Sequence, residues 1–244
     1  MESVAYDNIF NIEEHLWWYR GRRAVCLAML EANLTGSQRI LDVGCGTGYN
    51  MRLLERFGEV HGVDFAAEAL EYCRARGLTR VHQADATRLP FDDASFDLVT
   101  AFDVIEHIAD DRAALLEFGR VLKPGGQLLI YTPALPWLYG EHDRIVHHQR
   151  RYRKAELQEK IVASGFALTH CSYVNLLILP IVLAARALLA LLPRRPHAEM
   201  SIPPAPFNRF FSWVCQLEVP RVIRSGLPYG MTLVALARKA RQQD

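Results

Sequence analysis

The chain has 244 residues, 50% of them hydrophobic, and carries 28 basic against 27 acidic side chains for a formal net charge of +1. That length supports a core large enough to stand without disulfides or a structural metal, and the charge balance excludes the broad basic footprint of a nucleic-acid binder. The five cysteines (Cys26, Cys45, Cys73, Cys171, Cys215) are scattered, odd in number and never spaced as C-x-x-C, which points to a reduced, cytoplasmic setting rather than a disulfide scaffold.

Taken in order, residues 1–38 begin with acids and lack the apolar run of a secretory signal. Val25, Ala28, Met29 and Ala32 repeat at helical spacing and predict an amphipathic helix. Before it stands the cluster His15-Leu16-Trp17-Trp18-Tyr19-Arg20, with Arg22 and Arg23 after. Two readings stay open: a staple against the core, or a flap over a ligand pocket. A strand is predicted at Arg39–Val43, then the loop Gly44-Cys45-Gly46-Thr47-Gly48 and a helix from Tyr49 to Gly58. A second strand, Val60–Val63, ends at Asp64. A helix spans Ala66–Arg76, and a short strand spans Arg80–Gln83. Phe96–Ala101 is a fourth strand, opening into Phe102-Asp103-Val104-Ile105-Glu106-His107. A helix from Asp111 stops at Lys123-Pro124-Gly125-Gly126, and Gln127–Tyr131 is a fifth strand. Strands alternating with helices predict a parallel sheet covered on both faces.

Thr132–Tyr152 has no period and is rich in His142, Asp143, Arg144, His147, His148, Arg150 and Arg151; long loops at the carboxyl edge of such a sheet carry function. A helix at Lys154–Ala163 and strands at Phe166–Val174 and Met231–Ala237 follow. Between these last strands lies an insertion over residues 176–226. Its first part, Leu176–Leu192, is almost wholly apolar, broken by Pro180 and Arg186, and 17 residues long. A bilayer span needs about 20 apolar residues, so an interfacial helix, a lid over an apolar substrate or a homodimer contact fits better. Arg194 and Arg195 follow it, which makes residues 176–195 a candidate peripheral contact with an anionic membrane. Pro193–Pro206 reads as a loop and Phe207–Arg224 as an amphipathic helix.

The chemistry centres on Ile40–Asn50. Glycines at 44, 46 and 48 follow a buried strand that carries Asp42, and glycine is needed where a ligand must meet bare backbone or φ is positive. Asp64 lies 22 residues beyond Asp42, where a carboxylate can take the hydroxyls of a ribose. The set ILDVGCGTG, VD at Asp64, ADATRLPF, FDLVTAFDVIEHIAD and LKPGGQLLIYTP resembles the class I S-adenosylmethionine-dependent methyltransferases of the type 11 kind. The loop is G-x-G-x-G rather than the G-x-G-x-x-G of nicotinamide enzymes, which disfavours an oxidoreductase.

The resemblance implies a Rossmann-like α/β fold: a seven-stranded, mostly parallel sheet with an antiparallel last strand. It would comprise an N-terminal helical flap (1–38) and a methyltransferase domain (39–244). It implies S-adenosyl-L-methionine as cofactor. Asp42, Gly44, Cys45, Gly46 and Gly48 would line its methionine part; Asp64 would hold the ribose, Phe65 flank the adenine, and Asp85 and Ala86 meet the adenine edge. Phe102 and Asp103 would lie near the reacting centre, and Arg22 would take the cofactor carboxylate. His107 is the candidate base for a hydroxyl nucleophile, since an ordinary imidazole titrates near neutral pH. His142, His147, His148, Arg151 and Tyr152 are candidates for the substrate wall. The spacing HDRIVHH matches no defensible metal pattern, so no metal is assigned. The polar-Pro-Pro-aromatic tetrad of amide and nucleobase methyltransferases is replaced by Phe102-Asp103-Val104-Ile105. A small, hydrophobic or lipid-like acceptor is expected. The alternative is a non-catalytic cofactor-binding or membrane-associated scaffold, against which the intact Asp42, Asp64 and Asp85 speak.

Overall fold

Two helices, α1 (Ser3–Ile12) and α2 (Trp17–Asn33), precede β1 (Gln38–Val43) in the computed structural model, which describes residues 3–190 and 202–240. Then come α3 (Tyr49–Leu54), β2 (Gly58–Asp64), α4 (Ala67–Ala75), β3 (Val81–Gln83), β4 (Phe96–Phe102), α5 (Asp111–Val121) and β5 (Leu122–Pro133). The chain continues through α6 (Glu141–Ile145), α7 (Lys154–Ala163), β6 (Phe166–Val174), α8 (Leu179–Ala190), α9 (Ala205–Arg224) and β7 (Thr232–Lys239). The strands form one sheet in the order β3-β2-β1-β4-β5-β7-β6. β7 runs antiparallel between β5 and β6, and the other pairings are parallel. This is the sheet expected, with its antiparallel last strand.

Alternation along each central strand divides the core between the two faces of the sheet. Leu41 and Val99 pack with Leu115 and Phe118 of α5 on one face. Ile40, Leu98 and Leu129 pack with Met29 and Leu30 of α2 on the other. Each such side chain, fully buried, contributes about 1.5–3 kcal/mol. Strand order reverses at β1: the chain steps outward to β2 and β3, then returns to place β4 on the other side of β1. Such a reversal leaves a crevice at the carboxyl ends of the strands.

The structure differs from the sequence reading in three places. The N-terminal segment is two helices, turning at residues 13–16. β5 starts at Leu122 rather than Gln127, because Leu122 pairs with Phe96 before a bulge in the register. The Thr132–Tyr152 stretch holds a short helix, α6, and is pinned at both ends: Tyr152 N–H donates to the Pro133 carbonyl (2.9 Å) and Leu135 N–H to that of Tyr152 (3.1 Å). Of the apolar insertion, α8 ends at Ala190, and Arg194 and Arg195 lie outside the described residues.

α9 packs along α2. A Cβ at Gly21 would lie 2.8 Å from Cys215 Cβ, so the helices approach as closely as a bare backbone permits. Asn208 fastens the start of α2, accepting from Trp17 N–H and donating to the His15 carbonyl, each at 2.8 Å. Glu218 of α9 accepts the N–H groups of Asn175, Leu176 and Leu177, which sets the approach to α8.

Asp111 joins three elements. One oxygen accepts from the Tyr152 hydroxyl (2.7 Å) and pairs with Arg150 (2.9 Å), and the other pairs with Lys160 of α7 (2.8 Å). Burial alone would raise its pKa, but Lys160 and Tyr152 outweigh it and hold the carboxyl below its ordinary value. A depressed folded-state pKa gives stability that is present above the unfolded value, near 3.9, and is lost as pH falls through the folded one. Asp111→Asn is therefore expected to cost about 2–3 kcal/mol in urea unfolding at pH 7, with the gap from wild type shrinking below about pH 4.

Candidate functional site

The glycine loop leaves β1 with three left-handed residues, Gly44 (φ 65°), Gly46 (φ 55°) and Gly48 (φ 87°). A Cβ on Gly44 would sit 2.4 Å from Val104, and one on Gly48 2.7 Å from Leu78. These two glycines let the loop lie against its own protein. Gly46 differs, since a Cβ there meets nothing within 4 Å and would project into open space. The loop therefore offers bare backbone to a ligand at Gly46. Cys45 is buried, its Sγ 3.9 Å from that of Cys73. That contact and burial raise its thiol pKa well above the ordinary value, so it packs as a small neutral residue.

Four carboxylates ring the loop. Asp42 is buried, with Oδ1 accepting from Thr100 (2.6 Å) and Oδ2 lacking a hydrogen-bond partner among the described residues. Burial pushes its pKa up to about 7. Asp64 accepts from Gly46 N–H (2.9 Å) and Ala66 N–H (3.0 Å). Its pKa is raised by burial, against the pull of those backbone donors. Asp103 has φ 56° and pairs with Arg22 Nη1 at 2.6 Å. Burial disfavours the Arg22 charge, yet Asp103 outweighs it and holds the guanidinium firmly protonated. Arg22 Nε has no partner among the described residues, so the group keeps a donor for another anion. The fourth acid, Glu13 at the end of α1, accepts from the Thr47 hydroxyl and from Arg76 (2.8 Å) and clamps the loop from outside. Phe102 lines a cleft with Arg22, Arg23, Cys26 and Asn50. Phe65 is 75% exposed. Asp85 is exposed, and its Oδ1 caps Thr87 through both N–H and hydroxyl; Ala86 is half-buried beside it.

Beyond Asp103, a 3₁₀ turn (Ile105–His107) carries Glu106 and His107 toward the Thr132–Tyr152 loop. Glu106 is wholly buried and accepts from Thr132 (3.0 Å). Burial, then Asp103, drives its pKa well up. The His107 ring stands 4.7 Å from that of His148, and its Nδ1 lies 3.3 Å from the His147 carbonyl. Burial and His148 push the His107 pKa down to about 4. That lies below the near-neutral range expected of an ordinary imidazole. His148 Nδ1 lies 2.9 Å from Asp143, which also takes Arg151 Nε at 2.7 Å. His142 is half-buried, its ring 6.4 Å from that of His148, and His147 is exposed. Tyr152, expected on the substrate wall, is buried with its hydroxyl committed to Asp111; Arg151 is likewise committed to Asp143. Both brace the loop rather than face a ligand.

Comparison with known proteins fits this geometry. Residues 41–130 match the family model described as a methyltransferase domain. A Mycolicibacterium smegmatis protein named as a probable S-adenosylmethionine-dependent methyltransferase is 31% identical over 159 residues, which is 64% of this chain and 61% of that one. The chain therefore carries a methyltransferase domain over residues 41–130 and resembles S-adenosylmethionine-dependent methyltransferases. Demethylmenaquinone methyltransferase from Clavibacter sepedonicus is 39% identical over 153 residues, 58% of this chain and 60% of that one. The chain thus spans about 60% of the length of these curated relatives. Phosphoethanolamine N-methyltransferase 2 from Haemonchus contortus, solved in complex with S-adenosyl-L-methionine, shares the fold with a TM-score of 0.57 at 24% identity, over 88% of this chain and 52% of that one.

The residues present fit the methyltransferase cofactor. The unpartnered Oδ2 of Asp42 and the open face of Gly46 are what a cationic, nucleoside-containing ligand needs there. Sequence reasoning missed Glu13, Thr47, Thr100 and Glu106. Thr100 faces Asp42 only through the β1–β4 register, and Glu13 reaches the loop from another helix. Glu106 was legible within the motif but carried no visible sign that it was buried. Gly46→Ala is expected to fold with a loss of about 1–2 kcal/mol from its left-handed backbone. It should also bind S-adenosylhomocysteine at least tenfold more weakly, as read by calorimetric titration beside a thermal melt.

Proposed function

We propose that the chain transfers a methyl group from S-adenosylmethionine to a small, apolar, lipid-like acceptor reached at a membrane surface. The bound cofactor supplies an electrophilic methyl on its sulfonium. The chain's own task is to align donor and nucleophile and to exclude water. In this reading Asp42 and the glycine loop hold the methionine part, Asp64 the ribose, and Asp85, Ala86 and Phe65 the adenine. Arg22, through its uncommitted Nε, takes the carboxylate. Phe102 and Asp103 then stand between cofactor and acceptor, with His107 on the acceptor side. His142 and His147 border that side.

The observation that carries the acceptor class is the outer face of α9. Phe207, Phe210, Trp213 and Leu217 recur on one side of the helix and are each about half exposed, at 57%, 49%, 56% and 51%. The exposed charges of α9 are Arg209, Arg221 and Arg224, while its one acid, Glu218, is buried against residues 175–177. An aromatic and aliphatic stripe with basic neighbours suits a helix lying in the interface of an anionic bilayer. α8 adds exposed Ile181 and Leu188. Its Arg186 reaches back to the Leu138 carbonyl at 2.6 Å, which ties this apolar helix to the loop that borders the acceptor side. Among the described residues no helix is long and apolar enough to cross a membrane, so the proposed contact is peripheral. The relative named for demethylmenaquinone, a lipid-like quinone, supports the same acceptor class.

Two measurements test the reading. With methyl-labelled S-adenosylmethionine and a host extract, label should enter the lipid phase; label confined to the aqueous phase would sink the acceptor class. In flotation with anionic vesicles the wild type should rise with the lipid. The double variant Phe210→Ser, Trp213→Ser should show at least tenfold weaker binding, since each exposed aromatic contributes on the order of a kilocalorie per mole or more at such an interface.

A further inference from the structure

Glu106, His107 and His148 bring three potential ligand atoms together beside Asp103. Glu106 Oε1 is buried, has no hydrogen-bond partner among the described residues, and faces His148 Nε2 at 3.8 Å. The other ring nitrogen of His148 lies 2.9 Å from Asp143. Because an ionised carboxylate only accepts, Nδ1 donates, and Nε2 is the ring nitrogen turned toward Glu106. His107 repeats the pattern: its Nδ1 meets the His147 carbonyl at 3.3 Å, so that nitrogen donates and Nε2 keeps its lone pair. One ligand atom each from Glu106, His107 and His148 lies within 4.8 Å of the other two. A buried carboxylate oxygen with no partner is a cost unless a proton or a metal ion meets it.

We propose that Glu106, His107 and His148 bind a divalent transition-metal ion. Two imidazoles and one carboxylate are a donor set that suits zinc and neighbouring ions and leaves coordination positions open. With metal–ligand bonds of about 2.0–2.1 Å, tetrahedral ligands stand roughly 3.4 Å apart, so atoms that lie within 4.8 Å of one another have to close by at most about 1.4 Å. Asp143 behind His148 is the outer carboxylate that fixes ring orientation and tautomer in such sites. Arg151 and the Gly140 N–H hold Asp143 in turn, at 2.7 and 2.8 Å. Gln149 closes the loop over the cluster: its N–H donates to the Glu106 carbonyl (2.8 Å) and its side-chain amide to that of His107 (2.9 Å).

The existence of the site stands on this geometry alone. Its use rests on the methyl-transfer reading. An acceptor hydroxyl placed on the open position would lose its proton to solvent more readily; its oxygen would take the methyl as the sulfonium C–S bond breaks, leaving S-adenosylhomocysteine, and His107 would hold the metal ion rather than take the proton.

The test uses the full chain, stripped by chelator and titrated with Zn²⁺, with Co²⁺ as a spectroscopic probe. The wild type should take up one equivalent and give the intense visible bands of low-coordinate cobalt. Glu106→Gln and His148→Ala should abolish both, and Asp143→Asn should weaken the affinity about 10–100-fold. Circular dichroism checks folding, and the less buried His107→Gln serves if Glu106→Gln fails to fold. Titration of each preparation with S-adenosylhomocysteine reads the cofactor pocket separately. Failure of a folded wild type that binds S-adenosylhomocysteine to take up stoichiometric metal would overturn this inference alone. So would wild-type metal affinity in both Glu106→Gln and His148→Ala.

Discussion

An excess of carboxylates at the carboxyl ends of the central strands is the constraint on which the rest of this structure depends. Asp42, Asp64, Asp103 and Glu106 gather where β1, β2 and β4 stop, and Arg22 of α2 is the buried cation that answers them, through its 2.6 Å pair with Asp103. Burial penalises every uncompensated charge there. Its effect is visible in the raised pKa values of Asp42, Asp64 and Glu106. A cofactor that carries a sulfonium and an ammonium relieves one side of that excess. A metal ion held by Glu106 would relieve the other. In this account the methyl donor and the metal ion are two solutions to one electrostatic problem, arranged on either side of Asp103.

The fold creates that place through the strand reversal at β1, and the N-terminal helices complete it. α2 carries Arg22 in, while α1 sends Glu13 to Thr47 and Arg76. In the aromatic–arginine segment Trp17 packs on Phe211 of α9 with ring centroids 5.2 Å apart, as a staple would, and the same helix carries Arg22 to Asp103. α9 serves in turn as the support of α2 on its inner face and as an unpartnered apolar surface on its outer one.

What was legible in the sequence was local. The glycine loop, Asp64, the helix stops and the strand–helix alternation are written in short stretches whose chemistry does not depend on what they touch, and the sheet followed from them. The acceptor side was not legible, because its order comes from contacts between distant segments. The aperiodic Thr132–Tyr152 stretch is held by Asp111 and Glu106, neither of which lies within it. Tyr152 and Arg151, read as candidates for the substrate wall, are struts committed to Asp111 and Asp143. His107 looked like an ordinary imidazole, and burial beside His148 changed its proton affinity. Spacing along HDRIVHH gave no metal pattern because two of the converging groups, Glu106 and His107, lie some 40 residues upstream of His148.

The central claim is that the crevice at the ends of β1, β2 and β4 holds the methyl donor, with Asp103 and Arg22 between it and the acceptor side. A crystal structure of the full chain with S-adenosylhomocysteine tests this most directly. The account predicts ribose hydroxyls on Asp64, the amino-acid end between Asp42 and Arg22, and sulfur facing Asp103 and His107. Density for the nucleoside anywhere else, or sulfur turned away from the Asp103–His107 turn, would contradict it.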